Sequence, residues 1–170
     1  MSNKTRTEPS PTAQRRTIAM ERTFAGASLE EVWELWTTRE GIESWWGPEG
    51  FAVKVRKLDL RAGGELEYAM IAVAAPQIEF MKKAGMPLST GCRMRYTEVI
   101  PQRRLRYLHR ADFIPGVEPY DVEHTVELHP TGDGVRMVLT FEAMHDEEWT
   151  QRAAMGWDNE LGKLAKVLAR

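Results

Sequence analysis

The sequence predicts an α+β domain in which a curved antiparallel sheet of six or seven strands wraps around one long C-terminal helix, with two short helices after the first strand. Apolar and polar residues alternate in several stretches, with the period of half-buried strands. Apolar residues recur at helical spacing in two short segments after the first stretch and in a long segment at the C-terminal end. A sheet with one polar face must bury its apolar face against helices, and here the helices lie at the beginning and the end of the chain.

The chain length of 170 residues is that of one domain, which at this size buries about 70% of the surface of the unfolded chain. Such a core needs no metal or disulfide, and we predict no cofactor. Residues 1–16 are rich in Ser, Thr, Pro and Arg and poor in apolar side chains. They are predicted to form a disordered N-terminal tail, and residues 17–170 a single domain.

Charge and cysteine content limit the partners. Lys and Arg number 23 and Asp and Glu 25, giving a formal net charge of -2, so nucleic acid is not an expected partner. No window approaches the roughly 20 apolar residues of a membrane span, and no secretory signal is present. Cys92 is the only cysteine, which excludes an internal disulfide and fits a reducing compartment. We expect a cytoplasmic protein with no membrane partner.

The first elements are a strand and two short helices. Residues 17–24 alternate as a strand. Ser28 precedes Glu31 by three residues, the spacing of a capping box, and an apolar stripe at helical spacing follows. Thr37 and Glu40 repeat the same pattern at once, which predicts a second helix that meets the first at a corner.

Six further strands follow in the predicted meander. Their alternating segments are Phe51–Val55, Leu66–Met70, Met94–Tyr96, Leu105–Tyr107, Val122–Leu128 and Val135–Phe141. Turn residues between them are Gly63-Gly64, Pro101-Gln102 and Gly132-Asp133-Gly134. Short connections of this kind favour antiparallel neighbours.

The last segment predicts a helix of about 24 residues that begins after Asp146. At about 1.5 Å per residue it is long enough to span the sheet. A single cylinder of roughly 10 Å diameter does not fill the concave side of six or seven strands, so we predict a cavity beneath it. Gly156 is a poor helix former, which predicts close approach of a strand or a bound molecule at that point.

Particular residues also carry a resemblance to a known family. They are Val32-Trp33 with Trp36, Trp45-Trp46-Gly47-Pro48, Asp59-Leu60-Arg61-Ala62-Gly63-Gly64, Glu98-Val99-Ile100-Pro101 through Arg104-Leu105, and Gly156-Trp157 with Leu161 and Leu164. Over residues 17–169 the chain resembles the START-like or SRPBCC helix-grip superfamily, in the branch named after the activator of the heat-shock protein 90 ATPase. The resemblance implies a deep pocket between sheet and C-terminal helix. Different members use it for lipids, sterols, polyketides or hormones, and some members do co-chaperone work. No universal catalytic triad is implied, and we name no catalytic residue.

The segment Val73–Gly91 is longer than the tight hairpin usual in that branch. It contains Ile78, Phe80 and Met81, and we interpret it as a short helix that forms a lid over the cavity mouth. Capping of the core and a homodimer contact are equal alternatives. The loop at residues 112–120 is expected to form the opposite rim.

Residues that face the cavity in this interpretation combine apolar bulk with a few polar groups. The predicted ligand-binding residues are Tyr68, Met70, Met94, Tyr96, Tyr107, His109, His124, Trp149 and Trp157. The two histidines lie in phase with inward-facing strand residues, so they orient a ligand, transfer protons as acid–base groups, or are satisfied structural histidines. No metal site is predicted, because no ligand spacing such as His-x-x-x-His occurs.

Three functions follow from this interpretation. The leading hypothesis is a protein that binds a small apolar molecule, such as a lipid, between the sheet and the C-terminal helix. The second is a co-chaperone-like or stress-response interaction module that contacts a chaperone through its surface. The third is an enzyme of the cyclase or hydratase kind in which His109 or His124 moves a proton.

Overall fold

The computed structural model describes residues 15–169, so most of the predicted N-terminal tail lies outside the described residues. The elements are β1 Thr17–Ala25, α1 Leu29–Thr37, α2 Arg39–Trp45, β2 Phe51–Leu58, β3 Glu65–Ala72, α3 Ala75–Lys83, β4 Ser89–Ile100, β5 Arg104–Ala111, β6 Tyr120–Pro130, β7 Gly134–Glu142 and α4 Glu147–Leu168. Just before β1, the Arg15 guanidinium donates to the carbonyls of Asp121 and Ala143 and lies over the Tyr120 ring.

All seven strands form one antiparallel sheet with the order β1-β7-β6-β5-β4-β3-β2, which confirms the predicted fold class. The first two strands of the chain therefore lie at opposite edges, and α1 and α2 connect those edges. Register shifts occur in β2 between Val55 and Lys57 and in β4 between Tyr96 and Glu98. Bulges of this kind bend a strand and increase its twist, so they contribute to the curvature of the sheet.

Two side chains of α2 cover the edge of the sheet at β2. Arg39 donates to the Val55 carbonyl, and the Glu43 carboxylate accepts from the Val55 amide at 3.0 Å. Both polar backbone groups of this edge residue are thereby paired, which removes a site where another strand would otherwise add.

Helix capping follows the prediction at Ser28 and differs by one residue at the next helix. The Ser28 hydroxyl accepts from the Glu31 amide at 3.1 Å. The cap of α2 is Thr38, which accepts from the Gly41 amide, so the prediction of Thr37 was wrong. Thr37 still belongs to α1 and donates back to the Trp33 carbonyl, because the chain becomes extended only at Thr38.

The C-terminal helix α4 begins after Asp146, whose carboxylate accepts from the Trp149 amide at 2.8 Å. Leu161 and Leu164 on its inner face are fully buried. A Cβ at Gly156 would meet no atom within 4 Å, so the predicted close approach of a strand at that residue was wrong. No helix of the described residues is both long and apolar enough to cross a bilayer.

The core lies between the concave face of the sheet and the helices α1, α2 and α4. Tryptophans provide much of this packing: the rings of Trp36 and Trp157 stack with centroids 5.9 Å apart, and Trp45 lies edge-on against Trp36 at 4.7 Å. α1 and α4 are thus joined by aromatic contacts above the sheet. These side chains occupy much of the space beneath α4 where the sequence analysis predicted a cavity.

Candidate functional site

Most of the predicted ligand-binding residues share the concave face of the sheet. In the strand register Tyr96 lies opposite Tyr107, Tyr107 opposite His124, and His124 opposite Phe141, so these rings form one row across β4 to β7. Beside this row, His109 lies opposite Met94. We define the concave-face cluster as Tyr68, Met94, Tyr96, Tyr107, His109, His124 and Trp157.

His124 is buried, and both of its ring nitrogens have partners. The Trp157 indole N–H donates to Nε2 at 3.3 Å, and Nδ1 lies 3.1 Å from the Val122 carbonyl. Because the indole nitrogen is only a donor, the proton of the neutral imidazole lies on Nδ1. Burial lowers the pKa of His124 to about 3, with a smaller contribution from His109. The ring is therefore neutral at pH 7 and bound at both nitrogens.

His109 is partly buried, with its ring 6.0 Å from that of His124 and 6.5 Å from that of Phe113. Burial lowers its pKa to about 4, although the nearby carboxylates of Asp112 and Asp121 oppose this shift. Within residues 15–169 no hydrogen bond to its ring is formed. Of these two histidines, His109 is the one whose ring nitrogens have no hydrogen-bond partner in that part of the chain.

Five buried polar side-chain atoms have no hydrogen-bond partner among the described residues: Gln77 Oε1, Arg104 Nε, and three atoms of core aromatic residues, which are the hydroxyls of Tyr96 and Tyr107 and the indole Nε1 of Trp46. Burial raises the pKa of both phenols, so they are protonated. A buried unpaired hydroxyl costs about 1–3 kcal/mol, and native proteins normally pair such groups with protein, water or ligand. The three aromatic atoms are therefore candidates for a hydrogen bond with water or with a bound molecule.

Glu160 is a residue of this region that the sequence interpretation did not select. Its Oε1 accepts from the Gly47 amide at 2.8 Å. Burial raises its pKa to about 7, although the Gly47 N–H and the charge of Lys163 oppose the shift. Gly47 directly follows Trp46, whose ring lies edge-on to that of Tyr68 at 5.4 Å, so the carboxylate lies near this end of the concave-face cluster.

The position of Glu160 along α4 is the feature of the sequence that could have identified it as an inward-facing residue. The residue lies three positions after Trp157 and four before Leu164, both on the inner side of α4. A carboxylate in an apolar stripe is unusual, because burying a charge is unfavourable.

Tyr68 and Cys92 lie opposite each other on β3 and β4, and the Cys92 thiol donates to the Thr90 carbonyl at 3.9 Å. Burial raises the pKa of the Cys92 thiol and of the Tyr68 hydroxyl. The thiol is therefore protonated at neutral pH. Met70, two residues after Tyr68 on β3, is partly buried.

Trp149 lies apart from the cluster, in the first turn of α4. Its ring contacts Phe113 at 5.9 Å, and the Arg152 guanidinium lies over it at 4.9 Å. Phe113 is 47% exposed. The two rings form an outer edge of the interior at this end of α4, and they connect to the cluster through the contact between Phe113 and His109.

The segment predicted to form a lid contains the helix α3. Met81 is buried, Ile78 is partly buried, and Phe80 is 66% exposed. The end of the Gln77 side chain of α3 packs on Gly50, and an added Cβ at Gly50 would require that side chain to move. α3 thus lies beside the loop that Glu160 holds through Gly47.

Two surface grooves formed by residues 15–169 lie away from the concave-face cluster. The larger, of about 420 Å³, lies between the loop after α2 and the outer side of α4. The smaller, of about 160 Å³, lies by the turn between β4 and β5. Among residues 15–169, no three His, Cys, Asp or Glu side chains are arranged to hold a metal ion.

A single curved antiparallel sheet closed by a long C-terminal helix defines the helix-grip class of proteins. Residues 26–169 match the family model described as Activator of Hsp90 ATPase homolog 1-like protein, and the chain belongs to this family. The resemblance inferred from the sequence is thereby confirmed. No curated protein matches the sequence.

Solved structures with the same fold come from several bacteria. Protein CV1439 from Chromobacterium violaceum is 27% identical, with a TM-score of 0.74, over 91% of this chain and 97% of that chain. Protein Ms6760 from Mycobacterium smegmatis is 18% identical, with a TM-score of 0.68, over 90% of each chain. The AHSA1 (SPO3351) protein from Silicibacter pomeroyi is 21% identical, with a TM-score of 0.68, over 91% of this chain and 98% of that chain. The last two likenesses show the fold alone.

Proposed function

We propose that this protein binds a small apolar molecule between the concave face of the sheet and α4. The supporting observation is the pair of buried phenol hydroxyls of Tyr96 and Tyr107, which have no partner among the described residues. They lie directly opposite each other on β4 and β5, surrounded by aromatic and aliphatic side chains. A mostly apolar wall with a few convergent polar groups is the usual composition of a small-molecule site.

Ligand binding in this proposal recovers hydrogen bonds that the ligand-free protein lacks. An acceptor atom of the ligand pairs with the Tyr107 hydroxyl, and the neighbouring rings contact its apolar body. His124 acts indirectly, because its two bonds to Trp157 and Val122 fix the ring that stacks on Tyr107 at 4.9 Å. Met70 and Trp149 line the outer parts of the site in this proposal.

Access in this proposal runs past α3 as a lid. Met81 and Ile78 anchor the lid to the domain, and movement of α3 away from Gly50 exposes the end of the concave face next to Tyr68. Phe80 points away from the domain and is free to contact a second copy, the alternative homodimer role of this segment. We place the function in the cytoplasm, where the lone Cys92 stays reduced.

Exchange of tyrosine for phenylalanine tests the proposal. Tyr107→Phe removes the unpaired hydroxyl, so we expect the ligand-free protein to keep or gain stability while affinity for a bound molecule falls about 5- to 100-fold. Native mass spectrometry of protein purified from cells identifies a co-purifying mass, and titration of tryptophan fluorescence with that compound gives the affinity. Tyr120→Phe is the control, since its hydroxyl bonds His145 outside the cluster.

Two results would contradict the proposal. One is unchanged affinity in Tyr107→Phe with Tyr120→Phe also unchanged. The other is the absence of any bound or titratable apolar compound.

A second candidate is a co-chaperone-like module, which the family name suggests. The observation that favours it is a group of exposed apolar residues in and around α3: Val73 is 55% exposed, Phe80 66% and Met86 50%, beside the cationic Lys82 and Lys83. Exposed apolar groups next to charges are typical of protein contacts. The ATPase rate of an Hsp90-type chaperone, measured with wild type and with Phe80→Asp, tests this function. Equal rates with and without the wild-type protein would remove it.

The cyclase or hydratase hypothesis rests on His109 alone, because both nitrogens of His124 are engaged. Proton transfer in this hypothesis requires His109 next to the bound molecule. Loss of turnover of the bound molecule in His109→Gln, with binding of that molecule retained, would support this hypothesis. Retained turnover in this variant would remove it.

A further inference from the structure

We propose that the molecule bound in this site carries a basic amine at one end of its apolar body, and that Glu160 is the counter-ion of that amine. The inference rests on the proposed binding function and adds the chemical class of the ligand. It is carried by the position of the Glu160 carboxylate and by the charges of the groups around it.

The Glu160 carboxylate has one close partner, the Gly47 amide. No cationic side chain of the described residues lies within ion-pair distance of it. Lys163, one turn further along α4, directs its ammonium group to the Gly47 carbonyl at 2.8 Å. The loop at Gly47 is therefore held by both side chains, and the carboxylate keeps hydrogen-bonding capacity for another donor.

The titratable groups on the concave face of the sheet are neutral. Tyr68 and Tyr107 are protonated phenols, and Cys92 is a protonated thiol. Farther along the concave face, His109 and His124 are neutral at pH 7 because burial disfavours their cations. Near this end of the cluster the charged side chains are therefore Glu160 and Lys163, and the Lys163 ammonium is bonded to the Gly47 carbonyl.

Ligand classes differ sharply in such a site. A carboxylate or phosphate headgroup would bring a second anion beside Glu160 while the Lys163 ammonium is already bonded to the Gly47 carbonyl, which is unfavourable after desolvation. An alcohol forms hydrogen bonds with the phenols but gains no charge pairing. An ammonium group pairs with Glu160 and donates to it, so an amine is the headgroup that the site favours.

Three probes of equal chain length, decylamine, decanol and decanoate, test the inference at concentrations below micelle formation. Their affinities are measured by titration of tryptophan fluorescence at pH 7.5, since Trp36, Trp46 and Trp157 adjoin the site. We expect decylamine to bind at least about 10-fold more tightly than decanoate. In Glu160→Gln this preference falls to about twofold or less, while the affinity for decanol changes little.

Asp158→Asn is the matched control. It removes the same unit of charge from the same helix, but its carboxylate is 71% exposed and pairs with Arg22 on the outside. The preference for decylamine is expected to persist in this variant, which separates a local effect of Glu160 from the overall negative charge of the protein. Far-UV circular dichroism shows whether each variant is folded.

The outcomes distinguish the two proposals. Decanoate binding as tightly as decylamine, or loss of the preference in Asp158→Asn as well, would overturn the assignment of Glu160 and leave the binding function in place. Failure of all three probes to bind the wild-type protein would overturn both. If Glu160→Gln does not fold, the ranking of the probes on the wild-type protein together with Asp158→Asn decides the question.

Discussion

Replacement of Glu160 by glutamine tests the environment of this side chain independently of any ligand. The amide oxygen retains the acceptor for the Gly47 N–H, whereas the negative charge is lost. Burial raises the pKa of Glu160 from its ordinary 4.5 to about 7, so the folded protein holds this proton more tightly than the unfolded chain does. Between these two pH values unfolding releases a proton, and the stability of the wild-type protein therefore falls as the pH rises.

The magnitude follows from the size of the pKa change. Each tenfold change in proton affinity corresponds to about 1.4 kcal/mol, so the fully ionised carboxylate would destabilise the folded protein by about 3 kcal/mol without screening. Glu160 retains some exposure to solvent, which reduces the effect. We therefore expect the free energy of unfolding of Glu160→Gln, relative to wild type, to increase by about 1–3 kcal/mol between pH 4.5 and pH 8.

Urea unfolding followed by tryptophan fluorescence at pH 4.5, 5.5, 7 and 8 measures this difference. The buried histidines change the stability of both proteins equally, so their contribution cancels in the comparison. Glu30→Gln, in the exposed first turn of α1, is the control for the loss of one negative charge from the surface. A difference for Glu160→Gln that stays flat, or that shrinks as the pH rises, would refute the argument.

Three further predictions concern stability. Burial lowers the pKa of His109 from its ordinary 6.5 to about 4, so its neutral state stabilises the protein above pH 6.5 and this contribution is lost as the pH falls. In urea unfolding, the free energy of unfolding should therefore fall less between pH 7 and pH 4.5 in His109→Gln than in wild type. An equal fall in both proteins would contradict this. Gly156→Ala meets open space and should stabilise α4 by about 0.5–1 kcal/mol, seen as a rise of a few degrees in Tm by circular dichroism; a fall in Tm would show that the site is not open. Thr38→Val should cost about 1 kcal/mol in urea unfolding through loss of the α2 cap, more than Thr37→Val, and the reverse order would restore Thr37 as the cap.

The sheet was predictable because the alternation of side chains is a local property. Each strand has one face on the core, so residues such as Val122, Val126 and Leu128 repeat with a period of two wherever the neighbours lie. Turn residues divided the pattern at the right points. The helices were found for the same reason, and their caps were found to within one residue, because two adjacent threonines offer the same hydroxyl.

The filling of the interior was not predictable in the same way. The sequence fixes that Trp36 and Trp157 face inward, but their stacking depends on the angle between α1 and α4, which no local pattern contains. The prediction of a cavity considered only the diameter of one helix and left out the volume of these rings. The pattern does indicate which side chains lie on the concave face, and Tyr96 and Tyr107 lie there, while their part in ligand binding stays a prediction.

Glu160 shows how a functional candidate is missed when a helix is analysed through its apolar residues only. Selecting Trp157, Leu161 and Leu164 defines the buried face of α4, and the same selection discards any charged residue that lies in phase with them. Yet a charge at such a position is the more informative residue, because an apolar neighbour needs no reason to be buried and a carboxylate does. The Glu160 carboxylate is stabilised by the Gly47 backbone amide and by the charge of Lys163, and these two groups do not restore its ordinary pKa. The remaining cost of burying the negative charge is what a cationic ligand would offset. The inward position of Glu160 on α4 is therefore the basis of the ligand chemistry proposed for it.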